Sequence, residues 1–504
     1  NLNEIALTKL FIDLTNNIYK LANANLDNSQ VKFSSGVNST KADLNLREFS
    51  FTQLQANLNK GLYQIGDATL NKSNVLFSFK PEAPAKNTDS KDTAAAAPLS
   101  LLLNKLTLAD NTVQFDNLAA KPVKGMDFNH LKISKLGLSA EGIAYSDAGI
   151  SVKVKNGKLN EKSGFSLLDL KGDVVYSDQQ VKISNLLLKT PNTHIENNTL
   201  LTYTSLDDLT KNPEKVKLDI AVKNTTIGLR DAAFFSDAVP ANYRNERLKV
   251  NAIANGYLNN LNIAKLQVTG LKNTHIDVSG TVKGLPDVDK TFLDLNLKRF
   301  SLTKADLLVL IPKNTLPANI TLPNSINANG KFKGSMTNFN TGFNINTDMG
   351  SAKLVANMKG PKGRESYTAN INLNNFNVGR MMQMDSTLGR ITVIANVKGT
   401  GLDMKKASAN LNGKVVSAQY NKYTYKNLLL SGTYAAQKMN LKSSMADTNV
   451  NYNLTAFVDM AGKYPAVKGN MELKQIDLQK LNFSPTELKL AGVIDADIAS
   501  ADPD

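Results

Sequence analysis

Residues 369–378 read ANINLNNFNV, and residues 293–302 read LDLNLKRFSL. In the first, Ile371, Leu373, Phe376 and Val378 are apolar; in the second, Leu295, Leu297, Phe300 and Leu302 are. Both follow one spacing: apolar, any, apolar, any, any, apolar, any, apolar. Alternate residues of a strand share a face, so each pair reads as the apolar side of a half-covered strand. The spacing of three in the middle should turn the second pair to the other face. One bulge residue restores the phase and bends the strand. Repeated bends at matching places would curl a sheet around its apolar face.

The spacing recurs along the chain. It returns at Leu44, Leu46, Phe49, Phe51; at Leu131, Ile133, Leu136, Leu138; and at Val181, Ile183, Leu186, Leu188. Later copies are Tyr423, Tyr425, Leu428, Leu430 and Met471, Leu473, Ile476, Leu478, with a weaker one at Ile220, Val222, Thr225, Ile227. Simple alternation fills the rest, as in Val450-Asn451-Tyr452-Asn453-Leu454. The pairs Asn156-Gly157, Asn329-Gly330 and Asn412-Gly413 read as hairpin turns between runs. The expected fold is all-β: a long antiparallel meander of about 35 to 40 strands, curled into an open apolar groove with a few short capping helices. Those helices are expected near 229–239, 303–311 and 378–384. The middle one has Thr303 as N-cap, Asp306 three residues on and Pro312 as a stop.

Two other repeats stand out. ATLNKSNVLF (68–77) and LTLADNTVQF (106–115) share a short hairpin-like unit, and the string NTHI occurs at 192–195 and 273–276. One segment, PEAPAKNTDSKDTAAAAP (81–98), is rich in Pro, Ala and charge. Such a composition cannot bury enough apolar surface to fold alone. It reads as a disordered loop bulging from the sheet, whose partial deletion should leave the fold intact. The organisation is therefore a groove segment over 1–80, that linker, and continuous groove repeats over 99–504.

Composition narrows the function. The net charge is +15, but the lysines are spread along the chain, mostly singly and beside apolar residues, as in Val152-Lys153-Val154-Lys155. That distribution suits a solvated outer sheet face better than a nucleic-acid surface. Cysteine is absent and histidines number three, which excludes disulfides and thiolate metal sites. His194 and His275 fall in the two NTHI copies, and repetition argues for a structural role. No nucleophile elbow or phosphate-binding loop occurs. The expectation is a non-enzyme with no cofactor and no metal. No apolar run reaches the length of about 18 residues that spans a bilayer. The chain opens on Asn1-Leu2-Asn3 without an initiator Met, as a piece of a longer protein would.

Three segments carry a family resemblance: LDLNLKRFSLTKADLLVLIP (293–312), ITVIANVKGTGLDMKKASANL (391–411) and AVKGNMELKQIDLQKL (466–481). Their alternating strands, bulges and Pro-ended short helices resemble the periplasmic portion of TamB and the wider AsmA-like group. The Asn and Lys richness resembles a Bacteroidetes version. The resemblance implies a half-pipe with an apolar lining in the periplasm, tethered to the inner membrane by an N-terminal helix absent from this chain. It also implies phospholipid transport between the membranes and a role in outer-membrane protein assembly. A TamA-type outer-membrane barrel is the implied protein partner, through a C-terminal region that this chain lacks. On this reading the ligand is the phospholipid acyl chain, nucleic acid is not a partner, and the protein is a monomer. The groove residues are expected to be Ile220, Val222, Ile227, Leu295, Leu297, Phe300, Leu302, Ile371, Leu373, Phe376, Val378, Met471, Leu473 and Ile476. The alternative is a structural stalk or adhesin made of β-sandwiches, with compact units of about 100 residues.

Overall fold

A computed structural model describes residues 4–36, 39–81, 98–310, 320–361 and 363–499. The linker expected at 81–98 therefore lies almost wholly outside the described residues. The chain divides into two units, Asn1–Ala264 and Lys265–Asp504. The described strands, 28 in number, belong to one hydrogen-bonded sheet, and only three short α-helices accompany them. The fold is all-β and consistent with a taco-like sheet. The strands are fewer than expected because they are long. Ser100–Asn117 runs for 18 residues, and a bulge bends a strand without ending it.

In unit 2 each strand pairs antiparallel with the next, from Thr274–Lys283 through to Lys489–Ile498. The bulges fall where the spacing of three predicts them. Register shifts lie between Leu297 and Phe300, Leu373 and Phe376, and Leu473 and Ile476. Unit 1 repeats the device between Ile183 and Leu186 and between Val222 and Thr225. The residue just before the second apolar pair often adopts a left-handed backbone. Asn185, Asn224, Asn375 and Asn427 have φ of 54°, 46°, 49° and 54°. Asn tolerates this region better than most residues. The displaced backbone N–H then needs an acceptor. Asn185 donates to Asn198 Oδ1 at 2.7 Å, Asn224 to Asn251 Oδ1 at 3.1 Å and Asn375 to Thr392 Oγ1 at 3.1 Å.

The Asn-Gly pairs are not turns. Asn156-Gly157, Asn329-Gly330 and Asn412-Gly413 all lie inside strands. Asn329 accepts an amide hydrogen bond from Asn344 at 3.0 Å across the polar face. Gly330 lies opposite Phe343, and a Cβ there would meet Gly342 O at 2.1 Å. Two of the two-residue turns are instead Asn421-Lys422 and Ala436-Gln437, each with positive φ at both positions, as the primed hairpin geometry requires.

Unit 1 also departs from a pure antiparallel meander. Leu62–Asn71 and Asn74–Phe79 both pair with Ser100–Asn117 in parallel. The ten-residue repeat accounts for this. Ala68 lies opposite Leu106 and Phe77 opposite Phe115, so the two copies sit side by side in register rather than as hairpins. Their phenyl rings stack at 6.0 Å.

The helices are shorter than their sequence patterns. Helix α1 is Leu229–Ala232, not 229–239; after it, Ser236 Oγ accepts from the Ala238 N–H at 3.2 Å in a local turn, a side-chain bond that competes with helix. Helix α2 is Lys304–Leu310, with the Asp306 N–H donating to Thr303 Oγ1 at 3.1 Å as the N-cap reading requires. Residue 311 lies outside the described residues. Helix α3 is Val378–Met382, closed by Gln383 at φ 60°.

Candidate functional site: the apolar face and its capped end

Cross-strand partners in a sheet share a face, so the pairing register traces rows across it. In unit 2 one row passes from Leu297 to Gly330, Phe343, Leu354 and Ile371. It continues through Ala395, Gly413, Leu430, Ser443 and Leu454 to Met471. A second row joins Phe300, Ala328, Ile345, Ala352, Leu373, Val393, Val415, Leu428, Met445, Tyr452 and Leu473. A third passes through Leu295, Phe332, Thr341, Ala356, Ala369 and Val397. Seven expected groove residues of unit 2 thus fall on shared rows of one face. Ten strand spacings of ~4.8 Å separate Leu297 from Met471 along the hydrogen-bonding direction, on the order of 50 Å.

Most residues of the rows are half-buried, while Ser443, Met445 and Leu473, towards the last strands, are buried. Leu295, Leu297, Phe300, Ile371 and Met471 are all half-buried. The apolar fraction of the chain is 42%, yet fully buried large apolar side chains are few: Tyr243, Leu302, Met349 and Leu481. In unit 2, Leu302, Met349 and Leu481 lie at or just past the ends of strands, where a helix and loops follow.

Such ends are held by polar clasps. Each NTHI string turns out to be the loop gripped by an aspartate of the helix that follows. Asp231 of α1 accepts from the hydroxyls of Thr190 and Thr193, the latter at 2.7 Å, and from the Asn192 amide at 3.0 Å. Asp306 of α2 accepts from the Asn273 N–H at 2.9 Å and the Thr274 hydroxyl at 3.1 Å, and it is 0% exposed. Burial pushes the Asp231 carboxyl up, but the three hydrogen bonds outweigh it and hold the group below the usual carboxylate value. Near the other limit of unit 2, the Asn421 and Asn482 side-chain amides each donate to the other's backbone carbonyl at 2.8 Å. The chain around Leu481 thereby lies over Met445 and Val450, with Tyr423, Tyr425 and Ile476 packed alongside.

The expected groove residues consequently divide. Leu302 is 1% exposed, and Phe376 and Leu473 are 9% exposed, so these three belong to covered core rather than to open lining. Val378 opens helix α3 and is not on a strand. Ile476 packs into the core around Met445. Ile220, Val222 and Ile227 lie on one strand of unit 1 and are half-buried. Their neighbour strand His194–Thr202 places Asn197 opposite Val222 and Thr199 opposite Ile220. Those two polar groups bond to each other at 2.7 Å, so the apolar face of unit 1 carries a polar pair that the apolar pattern did not reveal. Phe343, Leu354 and Leu454 were missed because they sit in plainly alternating strands without the bulge spacing; Leu430 carries that spacing with Tyr423, Tyr425 and Leu428 but was not among the expected groove residues, and Val393 lies at a register shift that its sequence does not mark.

The opposite face is a field of asparagines. Asn357 donates to Asn340, and Asn470 donates to Asp495 Oδ1 at 2.6 Å. A hollow of about 890 Å³ in unit 2 opens on this polar side, lined by Asn370, Asn396, Lys414 and Lys442 with the exposed Ile394 and Leu429. Ile371 reaches it only from between Asn370 and Asn372, its side chain being on the other face.

Two of the three histidines make local contacts, whereas His275 Nδ1 is buried with no hydrogen-bond partner among the described residues. His194 Nε2 is 2.8 Å from Glu196 Oε1, and His130 Nε2 is 3.0 Å from the Ala120 carbonyl. Among the described residues no group of three His, Asp or Glu could hold a metal ion, and no helix is long and apolar enough to cross a membrane. No family model, curated protein or solved structure matches the chain.

Proposed function

We propose that this chain is part of a bridge-like phospholipid conduit of the bacterial periplasm, related to TamB and the AsmA-like group, and is not an enzyme. The observation that carries the reading is the run of mainly apolar, mainly half-buried rows from Leu297 to Met471, which the buried Ser443 interrupts once. A bound acyl chain would cover those rows while its headgroup stays in water. Burial contributes roughly 0.8 kcal/mol per CH₂, so one chain supplies on the order of 10 kcal/mol toward the cost of leaving a bilayer. The rows are mainly Leu, Ile, Phe, Ala, Val and Gly, and their polar members are engaged within the sheet, Ser443 with Tyr452 at 3.0 Å and Thr341 with the Lys331 carbonyl at 2.9 Å, which favours sliding over capture. In this reading the protein is monomeric and tethered to the inner membrane outside the present chain. A supporting part in outer-membrane protein assembly, with a TamA-type barrel, follows from the resemblance alone. A β-sandwich stalk or adhesin would bury its apolar faces against a second sheet, and the half-exposed rows weigh against that alternative.

The test places a charge on an open row. Leu297→Asp and Ile371→Asp should fold with a melting temperature within a few degrees of wild type, because the carboxylate can reach water. Phospholipid co-purified with the protein and counted by mass spectrometry should fall several-fold. Folded variants that keep the wild-type lipid complement would end the reading at these residues.

A further inference from the structure

In unit 1 the chain after α1 packs onto two earlier loops. The Met126 N–H donates to the Phe234 carbonyl at 2.9 Å. The Phe165 ring meets Phe234 and Phe235 edge-on, at 5.8 and 5.4 Å. Gly125 has φ +87°, and a Cβ there would lie 2.9 Å from the Phe234 carbonyl oxygen, so the close approach needs glycine. Three separate segments are thereby fixed around a hollow of about 670 Å³.

The walls of this hollow have two characters. Met126, Phe234 and Phe235 make an apolar side, and Phe235 is 55% exposed at its rim. Lys124, Arg230 and Arg244 make a cationic side, with Asp237 the one carboxylate in the lining. None of the three cations has an ion-pair partner among the described residues. Two guanidinium groups and an ammonium facing one hollow suit a phosphate, whose oxygens accept several charge-assisted hydrogen bonds at once. Phenyl groups beside them suit an apolar substituent on that phosphate.

We propose that this hollow binds a phosphate ester bearing an aliphatic group, with Arg230, Arg244 and Lys124 on the phosphate and Phe234 and Phe235 on the aliphatic part. The inference stands on the hollow in unit 1 and does not depend on the conduit reading. Its ligand is either a lipid headgroup region or a smaller alkyl phosphate, and inorganic phosphate shares half of the chemistry.

The experiment titrates the full chain with dioctanoylphosphatidylglycerol, with octyl phosphate and with inorganic phosphate, by calorimetry. Both esters should bind saturably, and inorganic phosphate more weakly. The double variant Arg230→Gln/Arg244→Gln replaces exposed residues and should keep the wild-type circular dichroism. It should weaken both esters and phosphate by at least about tenfold, the usual effect of losing a hydrogen bond to a charged group. Phe235→Ala should weaken the esters severalfold and leave inorganic phosphate unchanged. A control pair, Lys331→Gln/Lys398→Gln, removes equal charge from exposed sites in unit 2 and should change nothing. A preference for phosphatidylglycerol over octyl phosphate would identify a lipid source, and equal binding a smaller ester. The proposal falls if the arginine pair has no effect, if the lysine control has the same effect, or if Phe235→Ala leaves ester binding intact.

Discussion

In two bulged strands of unit 2 the same apolar spacing meets different surroundings near the middle of the strand and near its end. In Phe292–Thr303, Leu295 and Leu297 precede the bulge and are half-buried, whereas Leu302 follows it and is 1% exposed. In Ser366–Asn377, Ile371 and Leu373 are half-buried, whereas Phe376 is 9% exposed. Side-chain chemistry is the same on both sides. What differs is coverage: in unit 2 the helix and loops held by Asp306 and the Asn421–Asn482 pair lie at the strand ends. Apolar periodicity therefore tells which face a residue takes, and the connections decide whether that face stays open.

A charge introduced on either side separates the two environments. Leu302→Asp buries an unpaired carboxylate and should cost several kcal/mol, enough to unfold the region around α2. Thermal melting followed by circular dichroism checks this. A Leu302→Asp protein as stable as Leu297→Asp would erase the distinction between capped end and open rows.

A smaller and more local effect is expected in unit 1, where a connection again overrides a local pattern. Ser100–Asn117 runs parallel to Leu62–Phe79, with Ser100 opposite Leu62 and Asn117 opposite Phe79. The chain must therefore travel from one strand end to the other between Phe79 and Ser100, roughly 55 Å for a strand of this length. Deleting Thr88 to Ala97 leaves a reach of about 40 Å at full extension. The deletion should break the parallel pairing and lower the melting temperature of unit 1, and amide hydrogen exchange over 62–79 and 100–117 reads it. Unchanged protection would mean that this register is not the one adopted in solution. Composition alone had pointed to a dispensable loop, because it reports what a segment can bury and not how far it must reach.

Much of the fold was legible because its signal is local. Alternation fixed the strands, and the spacing of three, with Asn185, Asn224 and Asn375 before the second pair, marked the bulges. The Asn-Gly pairs misled because asparagine serves the polar face as well as turns, and because glycine opposite Phe343 relieves crowding inside a strand. The NTHI repeat was visible, but its meaning was not. Thr193 and Asp231 are 38 residues apart, and Thr274 and Asp306 are 32 apart. A hydrogen bond across such a distance leaves no periodic trace. The open rows were half legible: Leu297, Ile371 and Met471 carry the bulge spacing, whereas Leu354 and Leu454 join them only through pairing register.

The central claim, that the open apolar rows carry acyl chains, is tested most directly by placing a photo-crosslinking amino acid at three positions. Leu354 lies on an open row, Asn372 on the opposite face and Met445 in the covered core. After irradiation in a bacterial envelope that contains the protein, intact-mass spectrometry should find phospholipid adducts at Leu354 and few or none at Asn372 and Met445. Adducts as frequent at Asn372 as at Leu354, or none at Leu354 in a folded protein, would contradict the account.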